Sequence, residues 1–285
     1  MNANSRPKMP AISEWLKLAT HRLKYADIPS ARLDAELILA HTLRKNRTYL
    51  HAHIDQVLTG RELEIAEARL ALRTDRVPVA YIIGHKEFYG RLFHVTTATL
   101  IPRPESEVMI DLLKKLVKET PPRLLGSPRL RLIDVGTGSG CLGISAKLEL
   151  PELDVTLADV SRHALAVATK NSQQLQADVA LIQSDLLTDF PIQPDFILAN
   201  LPYVNPEWEL SPELKHEPAL ALFADDNGLR LIKKLIQQAS TQLAPGGYLL
   251  LEADTSQLDA ISAYASDHTM HETARQGFII TLKKD

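Results

Sequence analysis

A glycine-rich stretch carries the clearest chemical signal in the sequence. Residues 134–140 read Asp-Val-Gly-Thr-Gly-Ser-Gly. They follow a short apolar run, 130–135, that predicts a strand, and they precede the stretch 142–148, which predicts a helix. Glycine has no Cβ, so such a loop turns tightly and lets a ligand approach the backbone. Free N–H groups at the start of the helix favour an electronegative group. This context predicts a nucleotide-type binding loop.

A carboxylate at the end of the next predicted strand supports that interpretation. Asp159 comes 19 residues after Gly140, and a carboxylate there can accept both hydroxyls of a ribose. A dinucleotide loop has the spacing Gly-x-Gly-x-x-Gly, and its third glycine would fall at Cys141. The observed spacing is Gly-x-Gly-x-Gly, led by Asp134. It favours S-adenosylmethionine, whose amino-acid end needs polar partners and not a pyrophosphate cradle. A tight turn without a ligand is the remaining interpretation.

A second polar stretch, Asn-Leu-Pro-Tyr-Val at 200–204, follows the predicted strand 196–199. The side-chain oxygen of Asn200 and the carbonyl of Leu201 can each accept a hydrogen bond from an –NH₂ group. Pro202 stiffens the loop, and Tyr203 offers a flat apolar face. The set suits a planar amide or an exocyclic amine. Alone it would be an ordinary turn; downstream of the glycine loop it becomes specific, because neighbouring parallel strands open on one crevice.

The elements that must position these residues alternate from residue 130 onward. Strands are predicted at 130–135, 155–159, 179–183, 196–199, 248–252 and 277–282, and helices at 142–148, 163–175 and 229–243. Such alternation indicates an α/β fold with a parallel sheet covered on both faces. The first third reads as helices that end at Pro78, and 88–95 looks extended with a turn at Gly90. We therefore predict a helical domain (1–84), a hairpin connector (85–104) and an α/β domain (105–285).

Composition limits the function classes. The chain has 285 residues, 32 Lys+Arg against 35 Asp+Glu, and a formal net charge of −3. This near-neutral balance argues against a protein that coats nucleic acid by bulk charge. No apolar run approaches the ~18 residues that cross a bilayer, no secretory signal is visible, and a single cysteine suits a reducing compartment. We expect a cytoplasmic protein, and the ten histidines form no metal-ligand spacing.

The segment 134–140, Asp159, Asp185 and the segment 200–203 resemble the successive motifs of class I S-adenosylmethionine-dependent methyltransferases. Further features resemble the HemK/PrmC family from about Trp15 to Glu252: Arg73-x-x-x-x-Pro78-Val-Ala-Tyr-Ile-Ile-Gly84, Glu87-Phe88-Tyr89, residues 99–107 and residues 216–223, followed by Asn227-Gly228-Leu229. Members of that family methylate the side-chain nitrogen of the glutamine in the Gly-Gly-Gln motif of class 1 peptide chain release factors. The resemblance implies a Rossmann-like catalytic domain preceded by a small helical domain and a β-hairpin connector.

The resemblance also implies roles for individual residues. The methionine part of the cofactor would lie on the loop formed by Gly136, Thr137, Gly138, Ser139 and Gly140. Asp159 would bind the ribose, and Leu186, next to Asp185, would help to cover the adenine. The segment 102–107 would form part of the wall near the cofactor.

The substrate side follows from the same resemblance. Asn200 and the backbone of Leu201 would hold the glutamine amide in the loop that Pro202 stiffens, and Tyr203 would stack on it. Asn200 and Tyr203 are thus the expected catalytic residues, with Asn200 also beside the cofactor and no metal involved. The family usually reads Asn-Pro-Pro-Tyr, so Leu201 is a departure. A backbone carbonyl survives that change.

Three other functions remain open. Asn-Leu-Pro-Tyr also resembles adenine-N6 methyltransferases of ribosomal RNA or DNA, the one interpretation with a nucleic-acid substrate. Adenine dimethyltransferases of ribosomal RNA place their helical domain after the catalytic one, and the opposite order here favours a protein substrate. A ribosomal-protein glutamine methyltransferase would share these motifs. The third possible function is that of a non-catalytic module that keeps the fold. The presence of Asp134, Asp159 and Asn200 argues against it.

Overall fold

The computed structural model describes residues 9–120, 129–188, 190–191 and 193–285. The start of the chain, where no secretory signal was expected, and most of a predicted surface connection at 119–128 lie outside these ranges. The fold divides into two compact units, one that ends at Gly84 and one that begins at His85. Each unit has its own hydrophobic core.

The first unit is helical, as its apolar spacing predicts. Its helices are α1 Ile12–Tyr25, α2 Ala31–Leu43, α3 Arg47–Ala52, α4 Gly60–Thr74 and α5 Val79–Ile83. Trp15 and Leu16 of α1 pack in one buried cluster with Ile38 of α2 and Leu70 of α4. The prediction that the helical block ends at Pro78 is wrong, because Pro78 caps the start of α5. A proline is tolerated there, since the first N–H groups of a helix have no partner inside it.

Helix α2 also buries two acidic side chains, which its apolar pattern does not reveal. The Asp34 carboxylate accepts a hydrogen bond from Nε of Arg73 at 2.7 Å, and both side chains are less than one-tenth exposed. Glu36 lies between Arg32 and Arg47. These two guanidinium groups hold the pKa of Glu36 below its ordinary value against the opposing effect of burial. Buried charges must be paired, so these contacts fix how the helices of this unit pack.

The second unit begins with a hairpin, β1 His85–Phe88 and β2 Arg91–His94. Its two turn residues, Tyr89 and Gly90, both have positive φ, which is the backbone of a type I′ turn. An extended segment follows and leads into one turn of 3₁₀ helix, Pro104–Ser106, and then into α6 Glu107–Glu119.

A seven-stranded sheet forms the centre of this unit. Its strands are β3 Arg131–Val135, β4 Asp154–Asp159, β5 Ala180–Gln183, β6 Phe196–Ala199, β7 Tyr248–Glu252, β8 Met270–Gln276 and β9 Ile279–Lys284. The order is β5-β4-β3-β6-β7-β9-β8. Strands β3 to β7 pair in parallel, and β9 pairs antiparallel with β7 and β8. The predicted α/β fold with a parallel sheet is confirmed, and the first five predicted strands are the parallel ones.

The predicted last strand at 277–282 is confirmed as β9, which begins two residues later, at Ile279. The chain makes a second hairpin there, and Gly277 lies in its turn with φ +59°. Strand β8 escaped the sequence analysis because it is the edge of the sheet and reads Met-His-Glu-Thr-Ala-Arg-Gln. An exposed edge strand needs no apolar run.

Helices cover both faces of the sheet. On one face, α9 Arg230–Gln242 and α10 Leu258–Ser266 pack in a cluster with Ile133 and Val135 of β3. On the other, α6, α7 Cys141–Glu149 and α8 Arg162–Gln174 pack in a cluster with Leu132. Alternate residues of β3 thus face opposite layers. No helix in the described ranges is long and apolar enough to cross a membrane.

The buried pair of Asp34 and Arg73 gives a stability prediction. Replacing Arg73 with Met leaves the Asp34 carboxylate buried without its cation, so the free energy of unfolding should fall by about 3–5 kcal/mol. Urea unfolding followed by Trp15 fluorescence measures this free energy for the helical unit. A Trp208→Phe background removes the signal of the other tryptophan.

A matched control is Arg22→Met. Arg22 pairs with Glu67, and both side chains are more than two-fifths exposed, so the expected loss is below about 1 kcal/mol. Equal losses for the two variants would contradict the assignment of a structural role to the buried pair.

Candidate active site

Three neighbouring strands end at the same level of the sheet. Val135 is paired with Ala199, and Ala199 with Leu251. The glycine loop leaves β3 directly after Val135, Asn200 follows Ala199, and Glu252 follows Leu251. The structure therefore brings the glycine loop and the loop that begins at Asn200 side by side, and it adds Glu252 to them.

Asp134 supports the glycine loop from below. Its Oδ2 atom accepts hydrogen bonds from the Thr137 hydroxyl at 2.5 Å and from the Gly143 N–H at 2.9 Å. Burial raises the pKa of Asp134 to about 6, although these donors oppose the shift. A Cβ on Gly143 would lie 2.3 Å from Cδ2 of Leu157 and 2.9 Å from Cβ of Asp134. Only glycine lets α7 start this close to the sheet.

Asp159 holds the other side of the loop. Its two oxygens accept hydrogen bonds from the N–H groups of Gly138, at 2.9 Å, and Ser161, at 2.8 Å. Burial raises its pKa. Each carboxylate oxygen has two lone pairs, so both still have capacity for a hydroxyl donor. At Gly138, a Cβ would meet nothing nearer than 4.0 Å, which leaves open space beside the carboxylate. This cradle fits a ribose.

The rest of the loop is shaped by its glycines. Gly136, Gly138 and Gly140 all have positive φ, a conformation that glycine adopts without strain. A Cβ on Gly136 would lie 2.9 Å from Cδ2 of Leu201, so the side chain of Leu201 packs against the loop. Thr137 and Ser139 are both buried.

Sequence reasoning missed Asn171, which ties this loop to the hairpin. Asn171 is fully buried on α8, and its Nδ2 donates to the carbonyls of Ser139, at 2.8 Å, and His94, at 2.9 Å. Its Oδ1 accepts from the N–H of His94 at 2.7 Å. The side chain therefore uses both kinds of hydrogen-bonding group to fix two segments. It carried no signal in the sequence because its partners are 32 and 77 positions away.

Asp185 and Leu186 follow β5, beside the end of β4. Asp159 is paired with Gln183, two residues before Asp185. The Asp185 carboxylate is more than half exposed and accepts from Nζ of Lys234 at 2.5 Å. Leu186 is buried and has φ +56°. Of the two predicted residues, Leu186 therefore belongs to the core beside the crevice, and the Asp185 carboxylate is engaged by Lys234.

A hydrogen-bond network surrounds Asn200. Its Nδ2 donates to the hydroxyl of Ser106 at 3.2 Å, and that hydroxyl donates to Oε2 of Glu252 at 2.5 Å. The Tyr203 hydroxyl donates to Oε1 of Glu252 at 3.4 Å. Burial raises the pKa of both Glu252 and Tyr203. The sequence analysis placed residues 102–107 on a wall of the site but did not foresee that Ser106 and Glu252 contact Asn200.

These residues line a pocket of about 180 Å³ in the second unit. Its lining is formed by Leu100, Arg103, Asn200, Leu201, Tyr203, Val204, Leu214, Ala221, Leu222 and Glu252. Arg103 donates to Oε1 of Glu217 at 2.5 Å, and the other oxygen of Glu217 accepts from the N–H of Ile101 at 3.0 Å. Glu217 thus holds this wall of the pocket in place and neutralises the charge of Arg103.

The backbone of the 200–204 loop is held from outside the pocket. The Nε2 atom of Gln257 donates to the carbonyls of Tyr203, at 2.9 Å, and Asn227, at 2.7 Å. A Cβ on Gly228 would lie 1.9 Å from the Tyr203 carbonyl oxygen, so only glycine permits this approach. Pro202, partly buried, lies within the held segment. The loop is therefore rigid without the second proline of an Asn-Pro-Pro-Tyr sequence.

Cys141 offers no competing chemistry. Burial raises the pKa of its thiol to about 12, so the nucleophilic thiolate is suppressed. Within the described ranges, no three His, Cys, Asp or Glu side chains lie close enough together to hold a metal ion.

Two protein-family models match the chain. One is described as the PrmC N-terminal domain and matches residues 14–84. The other is described as the methyltransferase small domain and matches residues 110–217. The second range contains the glycine loop, Asp159 and the 200–204 loop.

Characterised relatives resemble the chain over most of its length. A release factor glutamine methyltransferase of Koribacter versatilis (strain Ellin345) is 39% identical over 259 residues, which cover 88% of this chain and 89% of the relative. A protein of the same name from Leptospira interrogans is 36% identical over 250 residues, 85% of each chain.

A solved structure shares the fold. The 16S rRNA methyltransferase RsmC of Thermus thermophilus, in complex with AdoMet and guanosine, has a TM-score of 0.50 and 13% identity. The match covers 70% of this chain and 50% of that one. The predicted fold class is confirmed: a class I methyltransferase domain, Rossmann-like, preceded by a small helical domain.

The raised pKa of Asp134 gives a pH prediction. Between pH 4 and 6 an unfolded aspartate loses its proton, whereas Asp134 in the folded protein keeps it until about pH 6. The unfolded state then binds fewer protons, so the free energy of unfolding falls as pH rises through this window. The Asp134→Asn variant keeps an oxygen for both donors and lacks the titration. Its stability relative to wild type should rise by about 2 kcal/mol from pH 4 to pH 7.

Urea unfolding at several pH values measures this difference. The variant Asp225→Asn, at a side chain 78% exposed, controls for the loss of one negative charge. A stability difference for Asp134→Asn that stays constant with pH would contradict the raised pKa.

Proposed function

The chain belongs to the release factor glutamine methyltransferase family, and we propose that it methylates the glutamine of the Gly-Gly-Gln motif in class 1 peptide chain release factors. The methyl group would pass from S-adenosylmethionine to the side-chain amide nitrogen. One observation carries this proposal: in a chain that matches these relatives over most of its length, an asparagine loop suited to an amide lies beside the glycine loop.

The described residues fit S-adenosylmethionine, which supplies an electrophilic methyl group when bound. The glycine loop offers backbone polar groups around Gly138, where no Cβ narrows the space. The Asp159 carboxylate is oriented by two N–H donors and keeps lone pairs for ribose hydroxyls. Leu186, in the core beside the end of β4, would help to cover the adenine.

The acceptor side must overcome the weak nucleophilicity of an amide nitrogen, whose lone pair is delocalised into its carbonyl. Within the described residues, neither Oδ1 of Asn200 nor the carbonyl oxygen of Leu201 accepts an internal hydrogen bond. These two acceptors would bind the two protons of the substrate –NH₂. They would hold the nitrogen in line for transfer and stabilise the positive charge that develops on it. Tyr203 would stack on the amide plane.

No side chain is required as a general base in this mechanism. Once methylated, the amide nitrogen is strongly acidic and loses its proton to water. The raised pKa of Tyr203, caused by burial and by the Glu252 carboxylate, keeps its hydroxyl protonated. Tyr203 is then an apolar face and a hydrogen-bond donor to Glu252, and not a proton acceptor.

We assign substrate docking to residues 1–84 and catalysis to residues 105–285, with 85–104, the first part of the second unit, as the connector. The family model for residues 14–84 supports the first assignment, because it is specific to PrmC proteins. The other candidate acceptors are an adenine in ribosomal RNA and a glutamine in a ribosomal protein. The names of the relatives favour the release factor over both.

The first test is mass spectrometry of a class 1 release factor after incubation with this protein and S-adenosylmethionine. We expect the mass of one methyl group on the Gly-Gly-Gln glutamine, and no increase on a release factor that carries Gly-Gly-Ala. An unmodified glutamine, with S-adenosylmethionine binding intact by calorimetry, would contradict the proposal and point to the ribosomal acceptors.

The second test is Asn200→Ala. Loss of one of two amide acceptors should reduce kcat by on the order of 10²-fold, while the Kd for S-adenosylmethionine changes little. The matched control is Asn205→Ala, in the same loop but outside the pocket lining. We expect normal turnover from the control. Normal turnover from Asn200→Ala would overturn its assigned role.

A further inference from the structure

We propose that Ser106 and Glu252 set the direction of the Asn200 side-chain amide, and that this direction makes the pocket accept a glutamine and reject a glutamate. The inference rests on the proposed function and extends it from the reaction to its selectivity. Ser106 and Glu252 are positioning residues here, because they act through Asn200 and not on the substrate.

Glu252 fixes the hydrogen-bond directions around Asn200. An ionised carboxylate only accepts hydrogen bonds. Glu252 is 2% exposed, and the two hydroxyl groups that contact it are those of Ser106, at 2.5 Å, and Tyr203, at 3.4 Å. Both hydroxyls must therefore point their protons at the carboxylate. A buried carboxylate without these donors would carry a large desolvation cost.

The Ser106 hydroxyl and the Glu252 carboxylate, which also accepts from the Asn200 amide, together determine the rotamer of Asn200. A hydroxyl has one proton and two lone pairs. With its proton on Glu252, Ser106 can offer Asn200 only a lone pair, and so it binds the –NH₂ group at 3.2 Å. If the Asn200 amide were flipped, its Oδ1 atom would face the lone pair of the Ser106 hydroxyl and the Glu252 carboxylate, and both would repel it. Because the amide is planar, anchoring Nδ2 on this side leaves Oδ1 on the other.

The pocket consequently presents acceptors. Oδ1 of Asn200 and the carbonyl of Leu201 both need an N–H donor, which the glutamine –NH₂ supplies twice and a glutamate carboxylate cannot supply. The cation in the wall does not reverse this preference, because the Arg103 guanidinium is paired with the buried Glu217 carboxylate at 2.5 Å. The Glu252 charge further disfavours a second carboxylate nearby.

The experiment compares two acceptors on the full chain: a release factor with Gly-Gly-Gln and the same protein with Gly-Gly-Glu. Calorimetry in the presence of S-adenosylhomocysteine gives both Kd values without turnover. Wild type should prefer the glutamine form. In Ser106→Ala the –NH₂ group of Asn200 loses one of its two acceptors and keeps only the Glu252 carboxylate, so the preference should fall by up to about tenfold.

Two further variants separate the effect of hydrogen-bond direction at Asn200 from the effect of side-chain packing. Ser106→Thr keeps the hydroxyl and should retain the preference. Glu252→Gln keeps the volume but can donate as well as accept, so it no longer dictates the direction of the Ser106 proton, and the preference should fall here too. If Ser106→Ala does not fold, as judged by circular dichroism, Glu252→Gln decides the question.

The matched control is Ser145→Ala, at a fully buried serine on α7 whose hydroxyl has no partner among the described residues. It should keep the wild-type ratio of the two Kd values. The inference is overturned if Ser106→Ala or Glu252→Gln folds and keeps that ratio while wild type methylates the glutamine. Failure of wild type to methylate it would instead overturn the proposed function.

Discussion

The site depends on one electrostatic constraint: three carboxylates are buried where parallel strands end. Asp134 lies next to the last residue of β3, and Asp159 and Glu252 are the last residues of β4 and β7. Burial raises the pKa of each of these carboxylates. A buried carboxylate must be compensated by donors. Those donors come from the segments that form the crevice: the glycine loop, the turn after β4 and the 3₁₀ turn at Ser106. The same hydrogen bonds therefore compensate the buried charges and hold the segments that shape the crevice.

Close packing around two glycines also fixes the backbone of the site. Gly143 lets α7 approach Asp134, and Gly228 lets its loop lie against the Tyr203 carbonyl, where Gln257 also binds. Neither glycine lies in the crevice itself. They fix the backbone behind it, so that the acceptors Asn200 and Leu201 need no proline pair to be held in place. These contacts explain how Leu201 fits at the position of the first proline in the Asn-Pro-Pro-Tyr motif that this loop resembles.

The parallel strands, the glycine loop and the loop at Asn200 could be predicted from sequence, because each is encoded by neighbouring residues. Apolar runs mark β3, β4 and β6, and a glycine cluster marks a turn that needs positive φ. Ser106, Asn171, Glu252 and Gln257 could not be found in this way. Their partners lie 30 to 146 positions away, and a lone polar residue carries no local pattern. The edge strand β8 was missed because it is mostly polar, and α5 because Pro78 looked like an end.

The position of β9 has a consequence for synthesis of the chain. Strand β9 lies between β7 and β8, and Glu252 is paired with Ile279. During vectorial translation, β3, β4 and β6 can assemble as soon as they leave the ribosome, but β7 remains an open edge until residues 279–284 follow. The strand that carries Glu252 is therefore the last of the parallel set to gain both neighbours. The sheet around Glu252 is therefore completed after the sheet around the glycine loop, whose strands β3 and β4 are made first.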